Sequence, residues 1–295
     1  MRIFLTGGNG FLGKQLLPLL AKHEILMVGR RDINDFQDNV SYIRGDLSDL
    51  LNLQDKIKIF CPKVCINLAW QGLPDYSFST CLNNFSVSLR FFEFLARIGC
   101  KTVFSAGTCW EYGEKNGRVR ESDVPKSMNL FASIKSGLYL AGKSIFNSCD
   151  IDFIWGRFFF IYGTGQRETS LIPSRLQAIN EGEIPHIKNP NAVNDFIHVQ
   201  DAARAIVRLI ETKGVSGIFN IGSGVPTKVG NICEIISKKM NVNLRHPMTE
   251  EPLNGNGLWA DLSHIREHSK WTPQISIEEG IQMTIDSFDD LKENK

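Results

Sequence analysis

The sequence predicts an α/β fold in which a doubly wound parallel sheet is followed by a smaller C-terminal lobe. The main observation is that short apolar runs alternate with longer amphipathic runs in the first half of the chain, as strands alternate with crossover helices in such folds. A glycine-rich loop also follows the first apolar run directly, at residues 6–13. After about residue 163, glycine and proline interrupt the alternation, and we expect the second lobe to begin there.

Each predicted element takes its bounds from its apolar pattern. Strands of a parallel sheet are buried on both faces, and the first half contains six suitable apolar runs, at Arg2–Leu5, Ile25–Val28, Ser41–Arg44, Val64–Leu68, Thr102–Ser105 and Ile151–Trp155. Apolar residues at helical spacing predict helices at Phe11–Ala21, Leu50–Phe60, Ser79–Ile98 and Met128–Phe146. In the second half, the patterns predict helices at Ser174–Asn180, Val199–Glu211, Val229–Met240 and Ile277–Leu291, and a strand at Gly217–Ile221.

The composition excludes several classes of protein. Hydrophobic residues make up 42% of the 295 residues and the net charge is +1, which gives no electrostatic reason to expect nucleic acid or an anionic membrane surface as a partner. No segment approaches the roughly 20 apolar residues of a membrane span. The seven cysteines are scattered without the paired spacing of a zinc site. We therefore expect a cytoplasmic protein without a metal.

The glycine loop predicts a dinucleotide-binding unit of the Rossmann type, because it stands between a predicted strand and a predicted helix. Gly7 makes the tight turn, Gly10 lets the backbone approach the pyrophosphate, and Gly13 lets the helix pack closely on the strand. Backbone N–H groups at the helix N-terminus then face the phosphates. The cofactor residues expected in this loop are Gly7, Asn9, Gly10, Phe11, Leu12 and Gly13.

The residues that follow the second strand favour NADP(H) as the cofactor, and NAD(H) is the alternative. An acidic residue at this point would bind the ribose 2′-hydroxyl of NAD. Arg30 and Arg31 stand there instead, and guanidinium groups suit a 2′-phosphate. Asp32 follows directly and is the counter-argument, since it could fold back onto the ribose.

The predicted domains follow from the loop and the pattern. Residues 1–163 form the NAD(P)-binding domain, and about residues 192–222 complete its sheet. Residues 164–191 and 223–295 form the substrate-binding lobe, interrupted by frequent glycine and proline. Substrate is expected to enter between the lobes, at the carboxyl ends of the strands.

Nearly the whole chain resembles the extended short-chain dehydrogenase/reductase family, in the branch of nucleotide-sugar epimerases, dehydratases and reductases. The segments that match its motifs are Thr6–Gly13 (TGxxGxxG), Gly45–Leu47, Asn67–Ala69, Asn84, Ser105–Gly113, Arg157–Gly163, Asp195–Val199, Ala260–Asp261, Trp271–Pro273 and Glu279–Gly280. The resemblance adds Asp46, Leu47, Leu68 and Ala69 to the expected cofactor contacts.

The family's catalytic residues are a Ser or Thr, a Tyr and a Lys. By resemblance, Thr108 supplies the hydroxyl, and Lys135 holds the nicotinamide ribose and lowers the pKa of the Tyr. The Tyr position is Phe131, which has no exchangeable proton. A second YxxxK match, Tyr139 with Lys143, lies two helical turns later, and we interpret it as chance.

Three explanations of Phe131 remain open. The phenylalanine is an engineered substitution, or it is natural and another donor such as Tyr112, Lys135 or a bound water replaces the tyrosine, or the protein has lost catalysis. Thr108 and Lys135 argue against a complete loss of function.

The resemblance also suggests where a nucleotide sugar binds. Trp70, Trp110 and Tyr112 follow strands in loops that face the cleft in the family, and Cys109 lies beside Thr108. Two family positions are changed: Phe160 stands in place of an asparagine, and Asn194 in place of the arginine that clamps the diphosphate. Arg167 and Lys188 are possible substitutes for that arginine. The expected substrate contacts are therefore Trp70, Thr108, Cys109, Trp110, Tyr112, Phe160, Arg167 and Asn194.

The resulting hypothesis is an NADP(H)-dependent reductase of a nucleotide-activated 4-keto-6-deoxyhexose. The family's 4,6-dehydratases carry an Asp-Glu pair after the Thr, and here Cys109 and Trp110 follow Thr108. The alternatives are a nucleotide-sugar 4-epimerase and a catalytically silent NADP-binding regulator. The resemblance further implies a homodimer through helices 79–98 and 128–146, with Phe85, Leu89 and Phe92 on one apolar face and Leu138, Ala141 and Ile145 on the other.

Overall fold

The structure of the chain is a computed structural model that describes residues 1–32, 37–183, 189–242 and 257–293. Its strands are β1 Arg2–Thr6, β2 Glu24–Gly29, β3 Val40–Arg44, β4 Val64–Asn67, β5 Thr102–Thr108, β6 Gly117–Val119, β7 Asp152–Phe158, β8 Phe160–Tyr162, β9 Val193–His198, β10 Gly217–Ile221, β11 Pro226–Lys228 and β12 Gly257–Ala260. Its helices are α1 Phe11–Leu16, α2 Leu50–Phe60, α3 Phe78–Arg97, α4 Leu130–Asn147, α5 Leu171–Asn180, α6 Val199–Glu211, α7 Val229–Lys239, α8 Ser263–Ser269 and α9 Ile277–Glu293.

The larger sheet has seven parallel strands in the order β10-β7-β5-β4-β1-β2-β3. The strand order reverses direction at β1 and β4, which is the topological switch point of a doubly wound fold. The predicted fold class is therefore confirmed. Because all strands run the same way, the carboxyl ends of β1, β4 and β5 lie side by side, and the loops that leave them meet in one place.

The first helix is shorter than predicted. It ends at Leu16, and a 3-10 turn follows over Leu17–Leu20. The reason is Pro18, which has no backbone N–H to donate and whose ring clashes with the carbonyl four residues earlier.

The second sheet contains the short strands β11, β9, β12 and β6, and β8 pairs with β9. The strands that form this sheet differ from those expected from the predicted domain division in two respects. Strand Val193–His198 belongs here and not to the larger sheet, which residues 217–221 complete. Strand Gly117–Val119, which was expected to belong to the first domain, pairs with strand Gly257–Ala260 in the second sheet. The two lobes are thus connected by strand pairing as well as by the chain.

Three apolar clusters stabilise these layers. Two lie on opposite faces of the larger sheet, and the third lies in the second lobe between α5, α7, α9 and β9. Full burial of one such Leu or Ile side chain contributes about 1.5–3 kcal/mol. The third cluster includes Leu176, Ile232, Ile236 and Ile281, each with an exposed fraction of 0%.

Helices α3 and α4 pack against each other on one face of the larger sheet. Two residues that were expected on their outward apolar faces, Phe92 and Leu138, lie in the core instead, with 0% and 2% exposed. Each shares a helix face with other buried residues three or four positions away, Leu95 for Phe92, and Lys135 and Gly142 for Leu138. The exposed large apolar residues on these two helices are Phe78, Leu82, Leu130 and Leu140.

Among the residues that the structure describes, no helix combines the length and apolar character needed to cross a bilayer. Within the same ranges, no three His, Cys, Asp or Glu side chains come together as metal ligands would.

Candidate active site

A cavity of about 760 Å³ opens at the carboxyl ends of the parallel strands. One end, here called the glycine end, is lined by the loop of residues 7–13 together with Arg30, Arg31 and Asp46. The other, the aromatic end, is lined by Thr108, Lys135 and the rings of Trp70, Tyr76, Trp110 and Phe131. The expected contacts Leu47, Leu68, Ala69, Cys109, Phe160 and Arg167 also line the cavity. The cavity therefore brings together all but two of the residues that were predicted from sequence.

The glycine loop has the geometry that a dinucleotide requires. Gly7 has a φ of +73°, in the region that favours glycine. A Cβ atom on Gly13 would collide with the carbonyl oxygen of Gly7, so only glycine allows α1 to approach the loop this closely. Gly10 caps α1 without a side-chain hydrogen bond, which leaves the first N–H groups of the helix without a side-chain acceptor. These residues fit a pyrophosphate.

A chain of hydrogen bonds fixes the strand ends beneath the cavity. The Thr6 hydroxyl donates to Oδ1 of Asn67 at 2.7 Å, and the Asn67 amide donates to the Ser105 hydroxyl at 3.2 Å. The backbone N–H of Ala69 donates to the Thr6 hydroxyl at 3.3 Å. These bonds link β1, β4 and β5, and they hold the Leu68–Ala69 segment beside the glycine loop.

At the glycine end, Asp46 accepts hydrogen bonds from the Gln71 side chain at 2.8 and 2.9 Å and from the backbone of Ser48 at 2.8 Å. Burial opposes ionisation of Asp46, but these bonds and the nearby Arg30 guanidinium outweigh it and lower its pKa. The carboxylate is therefore charged at neutral pH and is held in place before any ligand arrives.

Asp32 points away from the cavity. Its carboxylate accepts a hydrogen bond of 2.6 Å from the Arg44 guanidinium, and both side chains are exposed. Arg30 and Arg31 line the cavity, whereas Asp32 does not. The acidic side chain that could have contacted a ribose is thus paired elsewhere.

Thr108 ends β5 and begins a 3-10 turn over Cys109–Tyr112. Glu111 closes that turn as a capping box, because its carboxylate accepts the backbone N–H of Thr108 at 2.9 Å. The same carboxylate accepts hydrogen bonds of 2.9 Å from the Trp155 indole and the Arg157 guanidinium. Glu111 and Arg157 are fully buried. This buried ion pair fixes the position of Thr108.

Lys135 lies on α4 with its ammonium group inside the protein. Nζ donates to the carbonyl oxygen of Ala106 at 2.8 Å and lies 4.1 Å from the centre of the Trp70 ring. Burial lowers the pKa of Lys135 from 10.5 to about 7, and the negative charge of Glu111 only partly opposes this shift. Lys135 can therefore change protonation state near neutral pH.

Phe131 lies one helical turn before Lys135, at the centre of the four rings, which we call the aromatic cluster. Its ring centre lies 4.9 Å from that of Tyr76, 5.1 Å from Trp70 and 5.9 Å from Trp110. Only 8% of its surface is exposed. The spacing is that of favourable tilted and edge-to-face aromatic pairs, so Phe131 is a well-packed component of this wall.

Two expected substrate contacts do not line the cavity. Tyr112 is turned inward by the 3-10 turn and donates to Asn220 at 2.6 Å in the core, where burial raises its pKa well above the usual range. It is therefore excluded as a substitute proton donor. Asn194 lies in β9, where it pairs with Thr227 and Leu258 in the second sheet. Lys188, the other suggested phosphate contact, lies outside the described residues.

Cys109 and His198 lack the properties of an acid–base pair. Cys109 is 3% exposed, and burial raises the pKa of its thiol far above neutrality. His198 caps α6 through its Nδ1, and burial lowers its pKa to about 4. It does not line the cavity.

The second YxxxK match lies outside the cavity. Tyr139 stacks on Phe153 with ring centres 6.0 Å apart, and Lys143 is exposed on the same helix. Neither residue lines the cavity. The interpretation of this match as chance agrees with their positions.

The residues of the site that were not predicted include Gln71, Tyr76 and Glu111. Gln71 and Tyr76 lie in the loop between β4 and α3, and no periodicity or spacing in the sequence marks them. Glu111 carried a recognisable signal, because a glutamate three residues after a threonine is the pattern of a capping box.

The family model for "NAD dependent epimerase/dehydratase family" matches residues 3–222. The dTDP-4-dehydro-6-deoxyglucose reductase of Escherichia coli is 27% identical, with 97% of both chains covered. The dTDP-6-deoxy-L-talose 4-dehydrogenase (NAD(+)) of Aggregatibacter actinomycetemcomitans is 25% identical and covers 83% of this chain and 93% of its own length. The structure of UDP-glucuronic acid 4-epimerase from Bacillus cereus in complex with UDP-glucuronic acid and NAD is similar at a TM-score of 0.86 and 21% identity, with 99% of this chain and 100% of that chain covered. Since the family match spans well over half of the sequence, this chain belongs to the NAD-dependent epimerase/dehydratase family.

Proposed function

We propose that the protein reduces the 4-keto group of a nucleotide-activated 6-deoxyhexose with NADPH. The observation that carries this proposal is the set of ionisable groups around the cavity. Among the described residues that line it, Asp46 is the one carboxylate, and it lies at the glycine end. The aromatic end offers a hydroxyl on Thr108, a phenol on Tyr76 and the cation of Lys135.

This set of groups favours reduction over elimination of water. A dehydratase needs an acid and a base at the sugar, and the glutamate nearest to Thr108, Glu111, is fully buried in its ion pair with Arg157. Reduction needs one proton for the sugar oxygen, together with the hydride that the nicotinamide cofactor supplies when bound.

The apolar wall supports a 6-deoxy sugar. Trp70, Trp110 and Phe131 present ring surface to the space beside Thr108, and a methyl group on the sugar would bury area against it. A carboxylate at the same sugar carbon would lose part of its hydration against these rings, which is unfavourable. The reductase from Escherichia coli is named for a 6-deoxy substrate of this kind.

The glycine end supports NADPH over NADH. Arg30 and Arg31 line the cavity, and the competing carboxylate of Asp32 is paired with Arg44. Two guanidinium groups can form charge-assisted hydrogen bonds with a 2′-phosphate. NADH remains an alternative cofactor, because the 4-dehydrogenase relative is named for NAD(+).

We also propose a homodimer that forms through α3 and α4. Phe78, Leu82 and Leu140 on these helices have 69%, 49% and 65% of their surface exposed. A second copy could cover these apolar side chains. Sedimentation at micromolar concentration should give twice the mass of 33.2 kDa.

A catalytically silent NADPH-binding protein is the second candidate, because Phe131, at the position of the family's catalytic tyrosine by resemblance, has no exchangeable proton. The test is to mix the protein with NADPH and dTDP-4-keto-6-deoxyglucose and to follow the loss of NADPH absorbance. We expect turnover, and faster turnover with NADPH than with NADH. Tight NADPH binding without turnover, in both the natural form and a Phe131→Tyr variant, would identify the silent protein. In a separate assay with NAD⁺ and UDP-glucose, interconversion of the two C4 epimers without a net change in cofactor would identify an epimerase.

A further inference from the structure

Within the proposed reductase, we propose that Tyr76 is the catalytic proton donor and replaces the phenol that Phe131 lacks. The inference depends on the proposed function, since it concerns the proton of the same reduction. The proton donor would then lie in the loop between β4 and α3, which carries Tyr76, and not in the first turn of α4, which carries Phe131.

The first support is position. The Tyr76 ring packs against Phe131 at 4.9 Å between ring centres, with a tilt of 54°, and against Trp110 at 5.5 Å. It lines the same cavity as Thr108 and Lys135. The phenol of Tyr76 is thus attached to a ring in direct contact with the ring that occupies the family's tyrosine position.

The second support is the fixed shape of the loop. The Asp75 carboxylate accepts hydrogen bonds from the backbone N–H and the hydroxyl of Ser77 and from the Thr80 hydroxyl. The backbone N–H of Asp75 donates to the carbonyl oxygen of Gly72 at 2.7 Å. Asn84 on α3 bonds both the N–H and the carbonyl of Gln71, at 2.8 and 3.0 Å. These bonds hold residues on both sides of Tyr76, so its ring is positioned before substrate binds.

The third support is elimination among the described residues that line the cavity. Their other hydroxyl groups belong to Thr6, Ser88 and Thr108, and aliphatic hydroxyls are far weaker acids than a phenol. Thr6 already donates to Asn67. Lys135 donates to Ala106 and, by the family resemblance, holds the ribose. Tyr76 is 38% exposed, so water can return the proton after each turnover.

The sugar carbonyl carbon gains a hydride from C4 of the reduced nicotinamide, which is oxidised. The π electrons of the carbonyl bond move to its oxygen, which takes the proton from the Tyr76 hydroxyl as that O–H bond breaks. The Thr108 hydroxyl donates a hydrogen bond to the same oxygen and keeps its proton. Water then reprotonates the Tyr76 phenolate and leaves as hydroxide, which bulk solvent neutralises.

The experiment compares Tyr76→Phe with the natural form and with Tyr139→Phe, which removes a tyrosine hydroxyl outside the cavity. We expect Tyr76→Phe to lower kcat by about 100-fold or more, the usual contribution of a general acid. The Tyr139→Phe control should stay within threefold of the natural form. The double variant Tyr76→Phe/Phe131→Tyr should have a kcat at least tenfold higher than that of Tyr76→Phe, because it returns a phenol to the neighbouring ring.

A second readout needs no dinucleotide. The infrared C=O stretch of bound dTDP-4-keto-6-deoxyglucose should lie at higher frequency in Tyr76→Phe than in the natural form, since a hydrogen-bond donor has been removed. Calorimetry should give a Kd for this sugar within threefold of the natural value, which shows that the variant is folded.

The outcomes separate the two proposals. If the natural form turns over and Tyr76→Phe keeps kcat within threefold, the assignment of Tyr76 is wrong while the reductase proposal stands. If Tyr76→Phe loses kcat but the C=O stretch does not move, Tyr76 acts through packing and the assignment is also wrong. If the natural form does not reduce any 4-keto nucleotide sugar, the reductase proposal itself fails.

Discussion

The two ends of the cavity are built from different parts of the chain. The glycine end is formed mainly by backbone: a turn at Gly7, a helix start at Gly10 and a close contact at Gly13. The aromatic end is formed by side chains that come from loops after β4 and β5 and from α4. Backbone geometry tolerates few substitutions, whereas a wall of rings can exchange one aromatic residue for another. The difference explains how Phe131 can stand in this type of fold without disturbing the dinucleotide site.

The largest expected effect concerns Lys135 at the aromatic end. Replacing it by Met removes the cation beside Trp70 and Ala106, and we expect kcat to fall by about 1000-fold, within the range for a catalytic proton or charge. Steady-state kinetics with NADPH and dTDP-4-keto-6-deoxyglucose measures the effect.

Lys143→Met is the matched control, because Lys143 is exposed on the same helix and does not line the cavity. It should leave kcat unchanged within twofold. A kcat for Lys135→Met within tenfold of the natural value would mean that the aromatic end works without a cation.

The next effect tests the glycine end alone. Changing both Arg30 and Arg31 to Ala should weaken NADPH binding by about 10- to 100-fold, since each charge-assisted hydrogen bond contributes roughly 1.5–3 kcal/mol and the groups are partly hydrated. NADH binding should change less than threefold. Fluorescence titration gives both Kd values.

Arg118→Ala, which changes an exposed side chain in strand Gly117–Val119 of the second sheet, serves as the control for lost positive charge. If the double Arg variant weakens the binding of NADPH and NADH equally, the two arginines do not contact the 2′-phosphate.

The smallest effect is on stability. The pKa of Lys135 is about 7 in the folded protein, and we take the ordinary lysine value of 10.5 for the unfolded chain. Between these two pH values, the unfolded chain binds a proton that the folded chain does not. The free energy of unfolding therefore rises with pH across this window, by up to about 1.4 kcal/mol per pH unit from this group.

Urea denaturation at pH 7, 8 and 9 measures this slope. Buried cysteines such as Cys65 and Cys109 have raised pKa values and oppose the trend, but they cancel when the natural form is compared with Lys135→Met. We expect the natural form to gain stability relative to the variant as pH rises. A constant difference between them would contradict a lowered pKa for Lys135.

The sequence predicted the elements that have strong periodicity. Leu50–Phe60, Val199–Glu211 and Gly217–Ile221 were predicted with the bounds that the structure has. The strands that were missed have three to six residues, such as Gly117–Val119 and Val193–His198, and most of them contain polar residues. Short strands of this kind depend on their partners, and pairs that are distant in sequence leave no local pattern.

The site was predictable where it depends on motifs and not where it depends on loop conformation. Tyr112 was expected in the cleft, but the turn closed by Glu111 points it into the core. Tyr76 was not expected, because only the folded loop brings it to Phe131. Spacing along the chain fixes which strand end a residue follows, and tertiary contacts fix where its side chain points.

The strand Gly117–Val119 has a consequence for dividing the protein. Val119 accepts a hydrogen bond of 2.8 Å from the backbone of Asp261, and the exposed Arg120 guanidinium pairs with the Asp261 carboxylate. A fragment that stops at residue 222, where the family match ends, would keep all seven strands of the larger sheet but leave this segment as an unpaired edge. The same segment joins Thr108 to Lys135 along the chain. The C-terminal residues that supply its partner strand therefore stabilise the segment between Thr108 and Lys135, and we expect a truncated chain without them to aggregate even though its larger sheet is complete.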